Sequence, residues 1–256
     1  MIIKRDFCYS PNGENRPLHI YLPDGYADSG ERYPVMYFFD GHNLFYDSDA
    51  TYGKCWGLKD FLDRWDKKLI LVGMECGHAE GQRLSEYLPY RAYRGMFRQF
   101  EPRGEDTMQW LIREVKPAID RDYRTWAHRE ATGIGGSSMG GLMALYALVR
   151  HNGVFSKGAC VSSAIGFCMP ALMNDMKRCP IAPDTRAWLS WGTAEARGAA
   201  PDRIDSKSYT YRRNKAVENK FFACGARPQL YCQIGGGHCE ADWEKQVPYF
   251  MEFLWK

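Results

Sequence analysis

The sequence has no strong excess of charge of either sign and no long apolar run. Its 256 residues carry a formal net charge of +3, and such a nearly balanced protein has no general attraction for nucleic acid or for an anionic membrane. No segment has the length needed to span a bilayer, and residues 1–6 lack the apolar centre of a signal peptide. We therefore expect no nucleic-acid partner, no membrane partner and a cytoplasmic location.

Cysteine occurs in an odd number and in no pattern that would pair it. The nine cysteines include no C-x-x-C pair and no zinc-finger spacing. They are therefore predicted to be free thiols, which is typical of proteins from a reducing compartment. No cluster of His, Cys, Asp and Glu has the spacing of metal ligands, so the sequence predicts neither a metal ion nor another cofactor.

Internal repeats, low-complexity tracts and linkers are also absent, which predicts a single domain over residues 1–256. An apolar content of 45% supplies enough side chains for a large core. Apolar runs alternate with segments of helical periodicity, as is typical of an α/β protein with a mostly parallel sheet and helices on both faces. The predicted strands of this sheet are residues 33–39, 68–74, 131–134, 157–162, 187–191 and 228–234.

The N-terminal region has a different pattern from the rest of the chain. Residues 1–9 and 17–23 are short extended runs, and the Asn12-Gly13 dipeptide between them is a strong turn signal. We expect an antiparallel hairpin at an edge of the sheet. Further along, residues 75–104 form a long irregular segment rich in Arg and Tyr, and loops of this length are commonly functional.

A glycine-rich turn at residues 135–141 (GGSSMGG) connects a predicted strand to a predicted helix. The G-x-S-x-G pattern within it, Gly136, Ser138 and Gly140, is typical of a nucleophile elbow, in which a serine stands on a sharp turn at the end of a strand. No lysine follows the glycines and no G-x-G-x-x-G spacing occurs, so a nucleotide-binding loop is not favoured. We therefore predict that Ser138 is a catalytic nucleophile.

A serine nucleophile needs a histidine that accepts its proton and a carboxylate that orients the histidine. His238 follows the last predicted strand, at the edge of the sheet where the elbow also lies. The carboxylate is expected after the preceding strand; Glu195 comes directly after it, and Asp202 and Asp205 follow in the same loop. We predict His238 as the base and Glu195 as the acid, with Asp202 and Asp205 as alternatives that the sequence leaves open.

The tetrahedral oxyanion of an acyl transfer requires two preorganised N–H donors. One is predicted to be the backbone N–H of Met139, directly after the nucleophile. The other is predicted in the loop after the strand at residues 33–39, where the N–H of His42 is our choice. The candidates for substrate contacts are the aromatic residues Trp56, Tyr87 and Trp191, together with Tyr52 and Tyr90.

The sequence resembles the esterase D-like branch of the α/β-hydrolases, a group that includes feruloyl and acetylxylan esterases, siderophore esterases and mycolyltransferases. The resemblance covers nearly the whole chain. It rests on residues 35–45, 86–90 and 135–141, and on the Gly237-His238 pair with Trp243. It implies the α/β-hydrolase fold, a serine carboxylic-ester hydrolase, and roles for Ser138 as nucleophile, His238 as base and Met139 as oxyanion donor.

These observations together predict an esterase that forms an acyl-enzyme at Ser138 and passes the acyl group to water. The predicted substrate is a short-chain ester or a carbohydrate-linked acetyl or feruloyl ester, because residues 75–104 offer Arg and Tyr where a lipid pocket would need Leu and Val. Two alternatives stay open. One is an acyltransferase with an alcohol or sugar acceptor, and the other is a non-catalytic binding module on the same fold.

Overall fold

The apolar runs of the sequence form the strands of a central sheet in the computed structural model, which describes residues 1–195 and 200–256. Ten strands lie in these residues. They are β1 (Ile2–Arg5), β2 (Cys8–Tyr9), β3 (Glu14–Asn15), β4 (Leu18–Tyr21), β5 (Val35–Phe39), β6 (Ile70–Met74), β7 (Thr132–Ser137), β8 (Lys157–Val161), β9 (Arg186–Gly192) and β10 (Arg227–Gln233).

Eight of the strands form one sheet in the order β1-β4-β6-β5-β7-β8-β9-β10. All neighbours from β6 to β10 are parallel, whereas β4 is antiparallel to both β1 and β6. The strands β2 and β3 form a separate antiparallel pair. The predicted mostly parallel sheet with an antiparallel N-terminal hairpin at its edge is therefore confirmed.

Helices cover both faces of the sheet. The side chains of β5 alternate between two cores, with Tyr37 and Phe39 in one and Met36 and Phe38 in the other, so this strand is buried on both sides as its unbroken apolar sequence predicts. The helices are α1 (Leu58–Leu62), α2 (Gln82–Glu86), α3 (Gly104–Trp110), α4 (Lys116–Asp122), α5 (Met139–Arg150), α6 (Met169–Arg178), α7 (Tyr209–Ala223), α8 (Glu240–Glu244) and α9 (Val247–Trp255), with a π-helical turn at Leu111–Val115.

The α/β-hydrolase arrangement places the loops that carry the predicted site at one edge of the sheet. Parallel strands end at the same edge, so the segments that follow β5, β7, β9 and β10 come together there. Within residues 1–195 and 200–256, no helix combines the length and apolar character that crossing a membrane requires. The single-domain organisation stays a prediction.

Candidate active site

Ser138 stands on the sharp turn between β7 and α5. Its backbone has a φ of 57° and a ψ of −116°, a conformation that residues other than glycine rarely adopt. The N–H of Ser138 donates to the carbonyl of Val161 at 3.0 Å, and its carbonyl accepts from the N–H of Ala164 at 2.9 Å. Bonds to β8 and to the loop that follows it therefore hold this strained residue on both sides, and the residue is partly exposed.

Glycine is required at two positions of this turn because the backbone packs closely there. A Cβ at Gly136 would lie 2.6 Å from the carbonyl carbon of Gly140. A Cβ at Gly141 would lie 2.6 Å from the carbonyl oxygen of Val161. Backbone atoms cannot give way without shifting the strand or the helix, so these glycines permit the close approach that the G-x-S-x-G pattern predicts.

His238 and Glu195 meet beyond the ends of β10 and β9. The Nδ1 atom of His238 lies 3.2 Å from Oε2 of Glu195. The two loops are joined by their backbones, since the N–H of Ala194 donates to the carbonyl of Gly236 at 3.0 Å. Ser138, His238 and Glu195 all line one cavity of about 370 Å³. The structure thus brings the three residues of the predicted triad to one place.

The other oxygen of Glu195 is held by two donors. Its Oε1 accepts from the hydroxyl of Ser162 at 2.6 Å and from the N–H of Gly192 at 2.8 Å. Ser162 in turn accepts from the indole N–H of Trp243 at 2.9 Å, and the Trp243 ring packs edge-on against the imidazole of His238. These contacts fix the carboxylate in front of the imidazole. Ser162 was not predicted from the sequence, where its place directly after β8 is its one signal.

The two alternative carboxylates lie elsewhere. Asp202 and Asp205 are both exposed. Asp205 accepts from the backbone N–H of Lys207 at 2.8 Å and lies just before Ser208, whose hydroxyl caps the N-terminus of α7. Of the three candidates that the sequence leaves open, Glu195 is the one in contact with His238.

The predicted oxyanion donors lie on two sides of the elbow. Met139 is the first residue of α5, so its N–H has no acceptor within the helix and can donate to a substrate oxygen beside Ser138. His42 belongs to the short turn Gly41–Asn43 that follows β5. It lines a second cavity of about 530 Å³, which Ser138 and His238 also line. The two cavities therefore meet at the predicted nucleophile and base.

Asp40 and Arg83 shape the loop that carries His42. Asp40 has a φ of 60°, and its carboxylate accepts two bonds from the guanidinium of Arg83, both at 2.7 Å. The N–H of Asp40 donates to the hydroxyl of Tyr87 at 3.2 Å. Burial alone would lower the pKa of Arg83, but the Asp40 carboxylate outweighs burial and raises it. Arg83 and its partly buried ion pair were not predicted from the sequence.

Some of the aromatic residues that we predicted to contact substrate line a cavity, and others are buried in the cores. Trp191 lines the cavity of about 370 Å³, and the exposed Tyr52 lines the one of about 530 Å³. Trp56 and Tyr87 are only 2% and 1% exposed and belong to the two cores, and the Tyr90 hydroxyl donates to Asp175. Side chains so enclosed cannot touch a substrate, so we correct the expectation for Trp56 and Tyr87 and leave them out of the proposed pocket.

A cluster of possible metal ligands lies on the wall of the larger cavity. One donor atom from each of His42, Glu75 and His78 lies within 4.8 Å of the other two. Burial would raise the pKa of Glu75, but its hydrogen bonds with His19 and His78 outweigh burial and lower the pKa to about 2. This cluster was not predicted from the sequence, because the three residues come from two loops and have no recognised ligand spacing.

Known proteins share this architecture. The chain matches the putative esterase family over residues 10–252. It is 25% identical over 247 residues to the uncharacterized protein YbbA of Bacillus subtilis, covering 94% of this chain and 93% of YbbA. It is also 30% identical over 153 residues to esterase Rv1288 of Mycobacterium tuberculosis. This alignment covers 60% of this chain but only 30% of that longer protein.

A solved structure agrees with this fold. The IroE-like serine hydrolase from Shewanella oneidensis superimposes with a TM-score of 0.75 at 20% identity, over 99% of this chain and 79% of that one. The family match extends from the first hairpin to the last helix and includes the elbow and the loops beside it. The chain therefore belongs to the putative esterase family and is a carboxylic ester hydrolase.

Proposed function

We propose that the protein hydrolyses carboxylic esters through a Ser138–His238–Glu195 triad and an acyl-enzyme. The observation that carries this proposal is the contact of 3.2 Å between Nδ1 of His238 and Oε2 of Glu195, beside the cavity that Ser138 lines. A carboxylate at Nδ1 holds the proton on that nitrogen, which leaves Nε2 as the acceptor for the serine proton. The carboxylate also stabilises the imidazolium that forms.

In the first half-reaction, Oγ of Ser138 attacks the ester carbonyl and its proton passes to Nε2 of His238. The N–H groups of Met139 and His42 stabilise the oxyanion. The tetrahedral intermediate collapses, the bond to the alcohol breaks, and the alcohol leaves with the proton from His238. In the second half-reaction, a water gives its proton to His238 and adds to the acyl carbon, after which the acid leaves and Ser138 regains its proton. No step uses a metal or a cofactor.

Hydrogen bonds and an ion pair around the site hold the catalytic groups in position before the reaction begins. Glu195 is held through Oε1 by Ser162 and Gly192, so its Oε2 stays directed at His238. Positioning of this kind matters because a displacement of about 1 Å can cost about 100-fold in rate. The ion pair of Asp40 with Arg83 fixes the second oxyanion loop in the same way.

The lining of the cavities supports a compact polar or aromatic ester as the substrate. The cavity of about 370 Å³ carries the guanidinium groups of Arg94 and Arg213 and the rings of Phe167 and Trp191. The larger one carries Tyr52 and many polar groups. A long alkyl chain would leave these polar groups without hydrogen bonds, whereas an acetylated or feruloylated sugar would satisfy them. We therefore propose a short-chain or carbohydrate-linked ester.

Acyl-chain length tests this substrate class. For a series of 4-nitrophenyl esters, we expect the highest kcat/KM with acetyl or butyryl and a fall with each longer chain, because a longer alkyl chain would lie against the polar groups of the two cavities. Initial rates should be measured below the concentration at which the long esters form micelles, with a lipase as the positive control for the long substrates. Faster cleavage of octanoyl or longer esters than of butyryl esters contradicts the proposal.

Labelling with a fluorophosphonate tests the serine mechanism against a non-catalytic binding module. We expect one phosphonyl group per chain on Ser138, identified by peptide mass spectrometry, because the probe reacts with a serine that a base has activated. Heat-unfolded protein is the control and should stay unlabelled. No labelling of the native chain would favour the binding module. Product analysis with and without an added alcohol then separates hydrolysis from acyl transfer.

A further inference from the structure

We propose that His42, Glu75 and His78 form a binding site for a divalent transition-metal cation of the zinc type on the wall of the catalytic cavity. His42 and His78 line the same cavity of about 530 Å³ as Ser138. Glu75 lies beside them in an adjoining depression that His19 and Thr51 also line. The site is thus separate from the triad but opens on the same space.

The distances suit coordination by a single ion. Nε2 of His78 lies 3.0 Å from Oε2 of Glu75, and one donor atom from each of His42, Glu75 and His78 lies within 4.8 Å of the other two. Around a tetrahedral ion with bonds of about 2.0–2.1 Å, neighbouring ligand atoms lie about 3.3 Å apart. The separation of up to 4.8 Å exceeds this value by about 1.5 Å or less, a difference that side-chain rotations of His42 and His78 would have to close.

The donor set selects the class of ion. Two imidazoles and one carboxylate suit zinc, cobalt and nickel. Calcium and magnesium prefer ligand sets made of oxygen alone. Three protein ligands leave at least one position for water or for a donor atom of the substrate. The side chain of His78 is 62% exposed, which gives an ion a path from solvent.

His42 supplies a second and independent observation. It is only 8% exposed, and among the described residues its buried Nδ1 has no hydrogen-bond partner. An unsatisfied buried nitrogen costs free energy unless a ligand occupies it. Coordination of a cation through Nδ1 of His42 would remove that cost.

The partners of the cluster resemble the outer layer of a metal site. Nε2 of His19 lies 2.6 Å from Oε1 of Glu75, on the oxygen that His78 does not contact. Nε2 of His42 lies 3.0 Å from the hydroxyl of Thr51. Such outer contacts orient the ligands and are worth about 10-fold to 100-fold in metal affinity. Here they come from residues on β4 and in the loop that follows β5.

Titration of chelator-treated, untagged full-length protein with zinc chloride in a calorimeter tests the proposal. We expect one equivalent of zinc to bind. His78→Ala and Glu75→Gln should each raise Kd by about 100-fold or more, because losing a metal ligand should reduce the affinity more than losing an outer hydrogen-bond partner does. The matched control is His128→Ala, which removes an exposed imidazole elsewhere and should leave Kd unchanged. Circular dichroism checks that each variant is folded.

Cobalt(II) then identifies the ligands. Cobalt in the proposed site should give ligand-field bands in the visible region without the charge-transfer band of a thiolate, and His78→Ala should abolish them. A thiolate band would place the ion on a cysteine such as the exposed Cys239 and overturn the proposal. Failure of zinc to bind, or equal affinity in wild type, His78→Ala and Glu75→Gln, would overturn it as well. These readouts do not depend on esterase activity.

Discussion

Replacing Ser138 by alanine is expected to reduce kcat/KM for ester hydrolysis by several powers of ten, about 10⁶-fold if the site behaves like other serine triads. The reaction loses its nucleophile, and the remaining oxyanion donors and base give only weak catalysis by water. The fold should be kept, because alanine removes one oxygen and occupies the same backbone conformation. Stopped assays with a short-chain ester, together with circular dichroism and thermal unfolding, measure both parts of this prediction.

Two further variants give the Ser138 experiment its comparison. His238→Ala should be about as impaired as Ser138→Ala, because nucleophile and base act as a unit. Ser163→Ala is the matched control: this serine lines the same cavity, and among the described residues its hydroxyl has no hydrogen-bond partner. It should retain most of the wild-type rate. Turnover by Ser138→Ala above a few per cent of wild type would rule out the serine mechanism.

The fold and the elbow could be predicted because their signals are local. The strand at Val35–Phe39 is apolar at every position, which follows from burial on both faces, and the glycines around Ser138 are dictated by backbone contacts within the turn. His238 could be found because the end of the last parallel strand lies beside the elbow in this topology. In each case a short stretch of sequence carried the physical cause.

Other features could not be predicted because their causes lie in residues distant in the sequence. Ser162 reaches Glu195 from the loop after β8, and Arg83 pairs with Asp40 across 43 positions. Periodicity and motif spacing carry no information about such contacts. The burial of Trp56 was missed for a related reason, because an aromatic residue in a loop has the same local pattern whether it packs inward or faces a substrate.

The sequence alone left three candidates for the triad acid. Replacing Glu195, the candidate in contact with His238, gives the second large expected loss of activity. Glu195→Ala should lower kcat by about 10⁴-fold, because the imidazole then lacks the carboxylate that fixes its tautomer and stabilises its charge. The loss should be smaller than that of Ser138→Ala, because nucleophile, base and oxyanion donors remain. Asp202→Ala and Asp205→Ala should stay near wild type, since both side chains are exposed.

A conservative variant separates the charge of Glu195 from its hydrogen bonds. Glu195→Gln can keep an oxygen that accepts from Ser162 and from the N–H of Gly192, so folding and thermal stability should change little. Its amide N–H₂ would instead donate to Nδ1 of His238, which favours the tautomer with the proton on Nε2, and it cannot stabilise the imidazolium, so kcat should still fall by about 10⁴-fold. If Glu195→Gln keeps the wild-type rate while Asp202→Ala or Asp205→Ala loses it, the acid has been misassigned, although the roles of Ser138 and His238 would stand.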